Sequence, residues 1–553
     1  MKEVLDYTLG EALRKQAAKR GNSEFLVFSN RNIRYTFGDI DKKADDLARW
    51  FLASGFKKGD HIGIWAYNVP EWAPVFYAAA RVGIMAVPIN ANCKHKELGF
   101  ILAQADINGL FIVDRFRDSD FAEILYQLIP ELKTSSAGNL KSAAFPSLRM
   151  VANIDNITHQ GMYVLEDLIL SGSKIDSTEL SKAESKVSNN DVLCIMYTSG
   201  TTGIPKGAML THKNVVLNCY HTVYSPNKLG MIDENTIILN PLPFFYITSL
   251  AGGIVFPLIY GFKIVVLENF DITRCLEVIQ NEACTWIFAV PSLYMAMLSH
   301  PRFNDFNMES VNYGCIGGAV CPPDLMRNII NKFRMKGIFL AYGLTETSPF
   351  ITTIITEDPA DPRLSTVGLP LFGVEVSIRD PNHIECPVNV PGEIWTRGHN
   401  VMKGYYKMEE ATREAIDKDG WFHTGDLGHL LSNGCLAIDG RIKELIIRGG
   451  ENIYPKEVEV LLRSMPGIKD AQVAGIPSKK YGEEVAAFVI LNQGELIGEK
   501  DIIEFCKDKI SFFKTPKYSF FLNSFPLSAN GKVQTFKLVE SGLKELEEKG
   551  IDI

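Results

Sequence analysis

Apolar residues fall along this chain in two rhythms: short runs that are apolar throughout, and longer stretches apolar every third or fourth position. His61-Ile62-Gly63-Ile64-Trp65 is of the first kind and predicts a buried strand. Glu71 to Gly83, rich in alanine and aromatics, predicts a helix, and Met85 to Ile89 a second strand. Strand, helix and strand within about thirty residues predict a βαβ crossover, hence a parallel sheet. Upstream, Thr8 to Arg20 has helical spacing. Ile40, Ala44, Leu47, Ala48 and Phe51 share one face of a helix that Gly55 ends. Leu110 to Val113 reads as a further strand. Lys133 to Asn190 is polar and serine-rich with weak periodicity, and reads as a loop-rich connection.

The apolar rhythm resumes at Val192 to Met196, a predicted buried strand. It runs into Tyr197-Thr198-Ser199-Gly200-Thr201-Thr202-Gly203-Ile204-Pro205-Lys206-Gly207. Glycine lets a backbone turn sharply and approach a ligand closely. Successive N–H groups in such a turn form an anion-binding concavity. Hydroxyls and a lysine add donors for phosphate oxygens. The register excludes a Walker A loop, because the fifth residue after Gly200 is Pro205 rather than a glycine followed by lysine. The same composition also suits a surface loop between two buried elements.

Downstream, His212 to Tyr220 reads as a helix start. Ile247 to Phe262 is the most membrane-like run, but it is short and broken by Gly252, Gly253 and Pro257; a buried helix and strand account for it. Trp286 to Tyr294 reads as a strand entering a helix at Pro291. Leu436 to Ile438 reads as a short strand. In the tail, Pro455 to Arg463 and Asp501 to Lys509 read as helices, and Ala471 to Gly475 and Glu484 to Leu491 as strands. That alternation predicts a compact α+β domain of roughly a hundred residues.

Four stretches carry a resemblance. The Thr/Ser/Gly/Lys loop from Tyr197, Ala341-Tyr342-Gly343-Leu344-Thr345-Glu346-Thr347, Trp421-Phe422-His423-Thr424-Gly425-Asp426, and Pro526-Leu527-Ser528-Ala529-Asn530-Gly531-Lys532 stand in the order typical of the adenylate-forming superfamily. The chain resembles the acyl-CoA synthetases of that superfamily, most closely medium- and long-chain fatty acid:CoA ligases. The resemblance implies an α/β fold. A large N-terminal AMP-binding domain, residues 1–440, would hold two parallel-type α/β sheets and a barrel-like region. A small mobile α+β domain, residues 441–553, would follow.

The resemblance also implies site roles. Thr198, Ser199, Gly200, Thr201, Thr202, Gly203 and Lys206 would hold the ATP phosphates. Gly317, Gly318 and Ala319 would lie against the adenine and the acyl chain, with Tyr342 stacked on adenine and Gly343 beside it. Thr345 would bond the α-phosphate. Glu346, a hard oxygen donor, suits magnesium. Asp426 would accept from the ribose hydroxyls, with Arg441 on ribose and phosphate. Lys443 would be the hinge, Gly449, Gly450 and Glu451 the CoA-facing turn, and Lys532 the catalytic lysine. Tyr246, Val290, Gly318 and Gly343 would border the acid pocket. Tyr246 is a departure, since the family usually carries histidine there and a phenol bears no positive charge.

The implied activity is two-step. A carboxylate attacks the α-phosphate of ATP, giving acyl-AMP and pyrophosphate; the thiol of coenzyme A then displaces AMP. The implied partners are ATP, Mg2+, CoA and a carboxylic acid. An aryl acid, or a carrier protein as acceptor, remains open at this point.

Composition narrows this further. Of 553 residues 46% are hydrophobic and 22% charged, which is ordinary for a globular protein. The net charge of −8 argues against nucleic acid as partner. Ten scattered cysteines without a Cys-x-x-Cys pair argue for reduced thiols, and so for the cytoplasm. No stretch predicts a transmembrane span; peripheral membrane contact, and a monomer or homodimer, are all compatible with the sequence.

Overall fold

A computed structural model describes residues 6–198, 205–223, 232–318, 321, 323–356, 361, 365–449, 451–507, 509–527 and 533–551. The chain divides into two compact units, one of residues 1–376 and 396–422, the other of 377–395 and 423–553.

The first unit is built on two large mixed sheets. In one, the strands Gly337–Tyr342, Tyr313–Ile316, Trp286–Ala289, Ile237–Asn240, Lys263–Val266 and Glu24–Phe28 lie side by side in that order, all parallel. Antiparallel strands cap its two edges, Thr352–Thr356 with Leu369–Pro370 on one side and Ile33–Thr36 on the other. In the second sheet, Met85–Ile89, His61–Trp65, Gly109–Ile112 and Met150–Asn153 run parallel. This confirms the predicted crossover. The hairpin Val192–Thr198 and Lys206–Thr211 extends that sheet, and Gly404–Tyr405 closes its edge.

The helix Trp72–Val82 is buried on every face, which explains its alanines and aromatics. The Trp72 ring lies 5.4 Å from Phe244, and the Tyr77 hydroxyl donates to the Ile254 carbonyl at 3.0 Å. Gln16 and Arg20, from the first helix Leu9–Arg20, donate to carbonyls at Ile259 and Gly261. The run from Ile247 to Phe262 is helical up to Tyr260, with a π-turn at Ala251–Val255, and leads into the strand Lys263–Val266.

One expectation is corrected. Lys133 to Asn190 is not a loop-rich connection, since it contains the strands Met150–Asn153 and Tyr163–Val164 and the helices Leu165–Gly172 and Thr178–Glu184. The strands are too short to generate a visible period. The helices expose most of one face, so their apolar positions are few.

In the second unit, a four-stranded sheet includes Phe422–Leu430 and Leu436–Arg441, which run antiparallel with Asp426 opposite Arg441. A further sheet joins Glu451–Ile453, Ile446–Arg448, Gly482–Leu491 and Ile468–Ser478, and Tyr518–Phe521 pairs in parallel with Gly482–Leu491. Helix Pro455–Arg463 packs Val458 and Leu462 into a core with Val473 and Val485. This is the α+β arrangement the tail predicted. Among the described residues, no helix is long and apolar enough to cross a membrane.

Candidate active site

Ladder geometry builds the centre of the site in the first unit. Thr198 pairs with Lys206, so both ends of the phosphate loop are held by one antiparallel hairpin. Ser199, Gly200, Thr201, Thr202 and Gly203 lie outside the described residues. On the other edge of the same strand, Ala208 pairs with Tyr405. The two-residue period of a strand puts Lys206 and Ala208 on one face. The Lys206 ammonium accordingly stands 5.1 Å from the centre of the Tyr405 ring.

The Tyr405 hydroxyl donates to Glu346 Oε1 at 2.9 Å, and Met402 N–H donates to the Glu346 carbonyl, also at 2.9 Å. Glu346 is 8% exposed. Burial, then the adjacent carboxylate, pushes the Tyr405 phenol far above its ordinary value, so it remains a donor. Segments around 206, 346 and 405, far apart in sequence, thus converge on a lysine, a carboxylate and a phenol.

The residues present fit a magnesium ion that arrives with nucleotide. Among the described residues no group of three His, Cys, Asp or Glu side chains gathers as a dedicated cage. Magnesium does not need one, because it keeps several waters and takes one or two carboxylates with substrate phosphates. Glu346, a buried carboxylate, would supply one such ligand.

The loop that carries Glu346 leaves the sheet at the carboxyl end of Gly337–Tyr342 and enters a turn of 3-10 helix, Thr345–Thr347. A Cβ on Gly343 would lie 2.0 Å from the Pro349 carbonyl oxygen and 2.9 Å from Thr347 Oγ1, so only glycine fits. Leu344 N–H donates to Thr347 Oγ1 at 2.8 Å. Tyr342 and Thr345 are half-buried.

Two asparagines of the helix His212–Val223 brace these loops. Asn218 donates to the Phe350 carbonyl at 2.8 Å and accepts from Phe350 N–H at 3.1 Å. Asn214 donates to the carbonyls of His399 at 2.7 Å and Val401 at 3.0 Å. They stand one helical turn apart and face the same way. Sequence reading missed both, and also Tyr405. The available signal was a pair of asparagines four positions apart in a predicted helix; Asn218 is fully buried.

The neighbouring parallel strands end in the other predicted residues. Gly317 and Gly318 follow Tyr313–Ile316, and Val290 follows Trp286–Ala289. Gly318 has φ +80°, and a Cβ there would touch Val290 Cγ1 at 3.4 Å, so these two acid-pocket candidates are in contact range. Ala319 lies outside the described residues. Tyr246 caps the helix Ile247–Leu250. Its hydroxyl accepts from Asn90 Nδ2 at 3.3 Å, and burial pushes the phenol up to about 12, so it is neutral. Ligands of open α/β sheets bind outside the carboxyl ends of parallel strands, where Val290, Gly317, Gly318 and Tyr342 stand.

In the second unit the cross-strand pair Asp426 and Arg441 forms an ion pair, Nε to Oδ1 at 2.9 Å. Asp426 is buried, and its N–H donates to Thr424 Oγ1 at 3.0 Å. Thr424 in turn donates to the Ile394 carbonyl at 2.7 Å. Lys443 sits in the 3-10 turn Ile442–Glu444 between two strands. Gly449, at φ +60°, donates its N–H to the Tyr481 carbonyl at 2.8 Å, and Glu451 pairs with Arg448. Gly450 and Lys532 lie outside the described residues.

Comparison with known proteins agrees with this geometry. The AMP-binding enzyme family matches residues 13–406, and the AMP-binding enzyme C-terminal domain matches residues 457–532. YngI of Bacillus subtilis (strain 168) is 36% identical, covering 98% of this chain and 98% of its own. The mitochondrial medium-chain acyl-CoA ligase ACSF2 of Danio rerio is 36% identical, covering 98% of this chain and 89% of its own. The ATP-bound structure of MatB from Rhodopseudomonas palustris superimposes with a TM-score of 0.80 at 26% identity, covering 97% and 99% of the two chains. With its signatures, its two sheets and its full-length likeness in agreement, the chain belongs to the AMP-binding enzymes of the adenylate-forming superfamily and is an acyl-CoA synthetase, an acid–thiol ligase that forms acyl-AMP from ATP and then acyl-CoA.

Proposed function

We propose that the acid is a straight-chain fatty acid, and that residues of both units carry the two half-reactions. The observation that carries the adenylation chemistry is the convergence of Lys206, Tyr405 and Glu346. In the first half-reaction both reactants are anionic, so the site must supply cations and donors in fixed positions. Lys206 and the loop Thr198 to Gly203 hold the phosphates. Thr345 donates to the α-phosphate, and Tyr342 offers its ring to adenine. Asp426 accepts from the ribose hydroxyls, and Arg441, paired with it, bonds ribose and phosphate. Lys532 draws the carboxylate and the α-phosphate together. Glu346 would hold a magnesium ion, and that ion would supply positive charge beside the departing phosphates.

For the second half-reaction, residues 441–553 act as a mobile domain that turns at Lys443. Gly449, Gly450 and Glu451 then face the pantetheine arm of CoA. A short turn between two strands suits a hinge, because a few residues there absorb the dihedral change.

The fatty-acid reading is supported by the ACSF2 relative, named a medium-chain acyl-CoA ligase, and by the apolar core against which Val290 packs. Neutral Tyr246 borders the acid pocket. The ten cysteines, scattered without a Cys-x-x-Cys pair, support a reducing compartment such as the cytoplasm.

The test is AMP release with ATP, magnesium and CoA across acids from acetate to oleate, with benzoate and a cinnamate. A maximum among the straight-chain acids is expected. Turnover confined to the aryl acids would overturn the substrate. Acid-dependent ATP–pyrophosphate exchange without CoA-dependent AMP release would overturn CoA as acceptor in favour of a carrier protein.

A further inference from the structure

The strand Leu436–Arg441 and the helix Pro455–Arg463 belong to the same compact unit and pack against each other, although the turn that carries Lys443 lies between them in sequence. A hydrogen bond joins them: the Lys456 ammonium donates to the Ile438 carbonyl.

The acceptor is held by its own sheet. Leu427 pairs with Gly440 and Gly428 with Ile438, so Asp439 is an extra residue in the strand, a bulge. A bulge re-aims the side chain it carries. Asp439 Oδ2 lies 2.8 Å from His429 Nδ1 on the facing strand, which ties the bulge down.

The donor is held just as firmly from the other side. Lys456 stands in the first turn of its helix, directly after Pro455. Val458 and Leu462 bury that helix in the core of the tail. The Lys456 side chain is half-buried. Burial lowers its pKa below the ordinary lysine value, while Asp439 of the strand and Glu459 of its own helix oppose that shift. Glu459 is engaged elsewhere, accepting from Val473 N–H at 3.1 Å and pairing with Arg463 at 3.3 Å. An ammonium shielded from water is costly to leave without an acceptor, and the Ile438 carbonyl provides one.

Donor and acceptor stand on opposite sides of Lys443. A tail that turns there carries Lys456 away and leaves Ile438 behind. A hydrogen bond is lost once its heavy atoms part beyond about 3.5 Å, so this one belongs to a single orientation. A contact made in only one of two states shifts their populations by its whole differential free energy.

We propose that Lys456 is a positioning residue, a latch on the Ile438 carbonyl that holds the tail in one of its two orientations and so sets the balance between the two half-reactions. The inference rests on the hinge at Lys443 proposed above and adds the contact that biases it.

The experiment uses the full chain as wild type, Lys456→Met and Lys456→Arg. Methionine keeps the apolar stem and removes the donor, whereas arginine keeps a cationic donor. ATP–pyrophosphate exchange reads the first half-reaction and thioester formation from supplied acyl-AMP the second, with the acid of highest turnover in the panel above. In Lys456→Met the ratio of the two rates should move roughly tenfold or more, the scale of a hydrogen bond to a charged group. The half-reaction served by the latched orientation slows and the other does not. Lys456→Arg should bring the ratio back towards wild type. A lysine that merely supported the fold would lower both rates together, along with the thermal midpoint. A ratio unmoved in Lys456→Met overturns the latch, whether the two rates hold or fall together, and so does a ratio displaced as far by arginine as by methionine. Failure of the hinge looks different. Full CoA turnover in Lys443→Pro removes the hinge and the latch with it, whereas blocked turnover in Lys443→Pro beside an unmoved ratio in Lys456→Met removes the latch alone.

Discussion

The hydroxyl of Tyr405 donates to the carboxylate of Glu346 at 2.9 Å, while the ring of the same tyrosine faces the ammonium of Lys206 at 5.1 Å. One side chain therefore links the end of the phosphate loop to the proposed magnesium carboxylate. Hydrogen bonds to charged groups contribute about 1.5–3 kcal/mol. Tyr405→Phe keeps the ring and removes only the donor. Adenylation should fall roughly ten- to a hundredfold, with a raised magnesium requirement and a thermal midpoint close to wild type. ATP–pyrophosphate exchange across a magnesium titration checks this; an unchanged magnesium dependence would separate Tyr405 from the metal.

Asp426 and Arg441 hold each other across two antiparallel strands. Asp426→Asn preserves shape but loses the anionic acceptor proposed for the ribose hydroxyls. ATP affinity should fall roughly tenfold or more, with the acid KM little changed. Isothermal titration with ATP reads this directly, and equal weakening of acid and ATP would point to a folding defect in the second unit.

Lys532→Ala should abolish adenylation yet leave thioester formation from supplied acyl-AMP intact. Lys443→Pro should do the reverse, because a proline stiffens the turn Ile442–Glu444. Loss of both half-reactions in equal measure in Lys532→Ala would refute the rotation scheme. Full CoA turnover in Lys443→Pro would refute the hinge.

His212 gives a pH-dependent stability. Its ring is fully buried, its Nδ1 accepts from Leu9 N–H at 3.0 Å, and burial lowers its pKa from 6.5 to about 4. The folded protein thus prefers the neutral ring, whereas the unfolded chain takes up a proton near 6.5. The stabilisation is complete above pH 6.5 and is lost as pH falls from there towards 4. The loss should reach about 2 kcal/mol by pH 5. Urea unfolding between pH 7.5 and 5, in wild type and His212→Gln, measures it. The variant should show a shallower acid limb, and parallel limbs would rule His212 out as the titrating group.

Much of this protein follows from local pattern. The apolar runs at His61 to Trp65 and Met85 to Ile89, with the helix between them, were enough to predict a parallel sheet, because a buried strand and a buried helix each leave a period in sequence. The signature stretches at Tyr197, Ala341, Trp421 and Pro526 carry the resemblance that named the family, because such signatures are short runs of particular residue types. The segment from Lys133 to Asn190 hid its elements, since two- and four-residue strands are shorter than any periodicity can register.

What tertiary structure alone decided was which distant residues meet. The pairing of Lys206–Thr211 with Gly404–Tyr405 brings Tyr405 to Glu346, a contact across 59 positions that no local pattern encodes. Asn218 works in the same way, since its hydrogen bonds end on a loop 132 residues on. Strand register likewise lines up Phe288, Cys315 and Phe339 across three strands, and Gly252 in the π-turn makes room for the Phe288 ring. Sequence determined the elements and the signature groups, because those depend on neighbours along the chain. Register and packing determined the positions those groups occupy and the size of the space beside them, because both depend on neighbours across it.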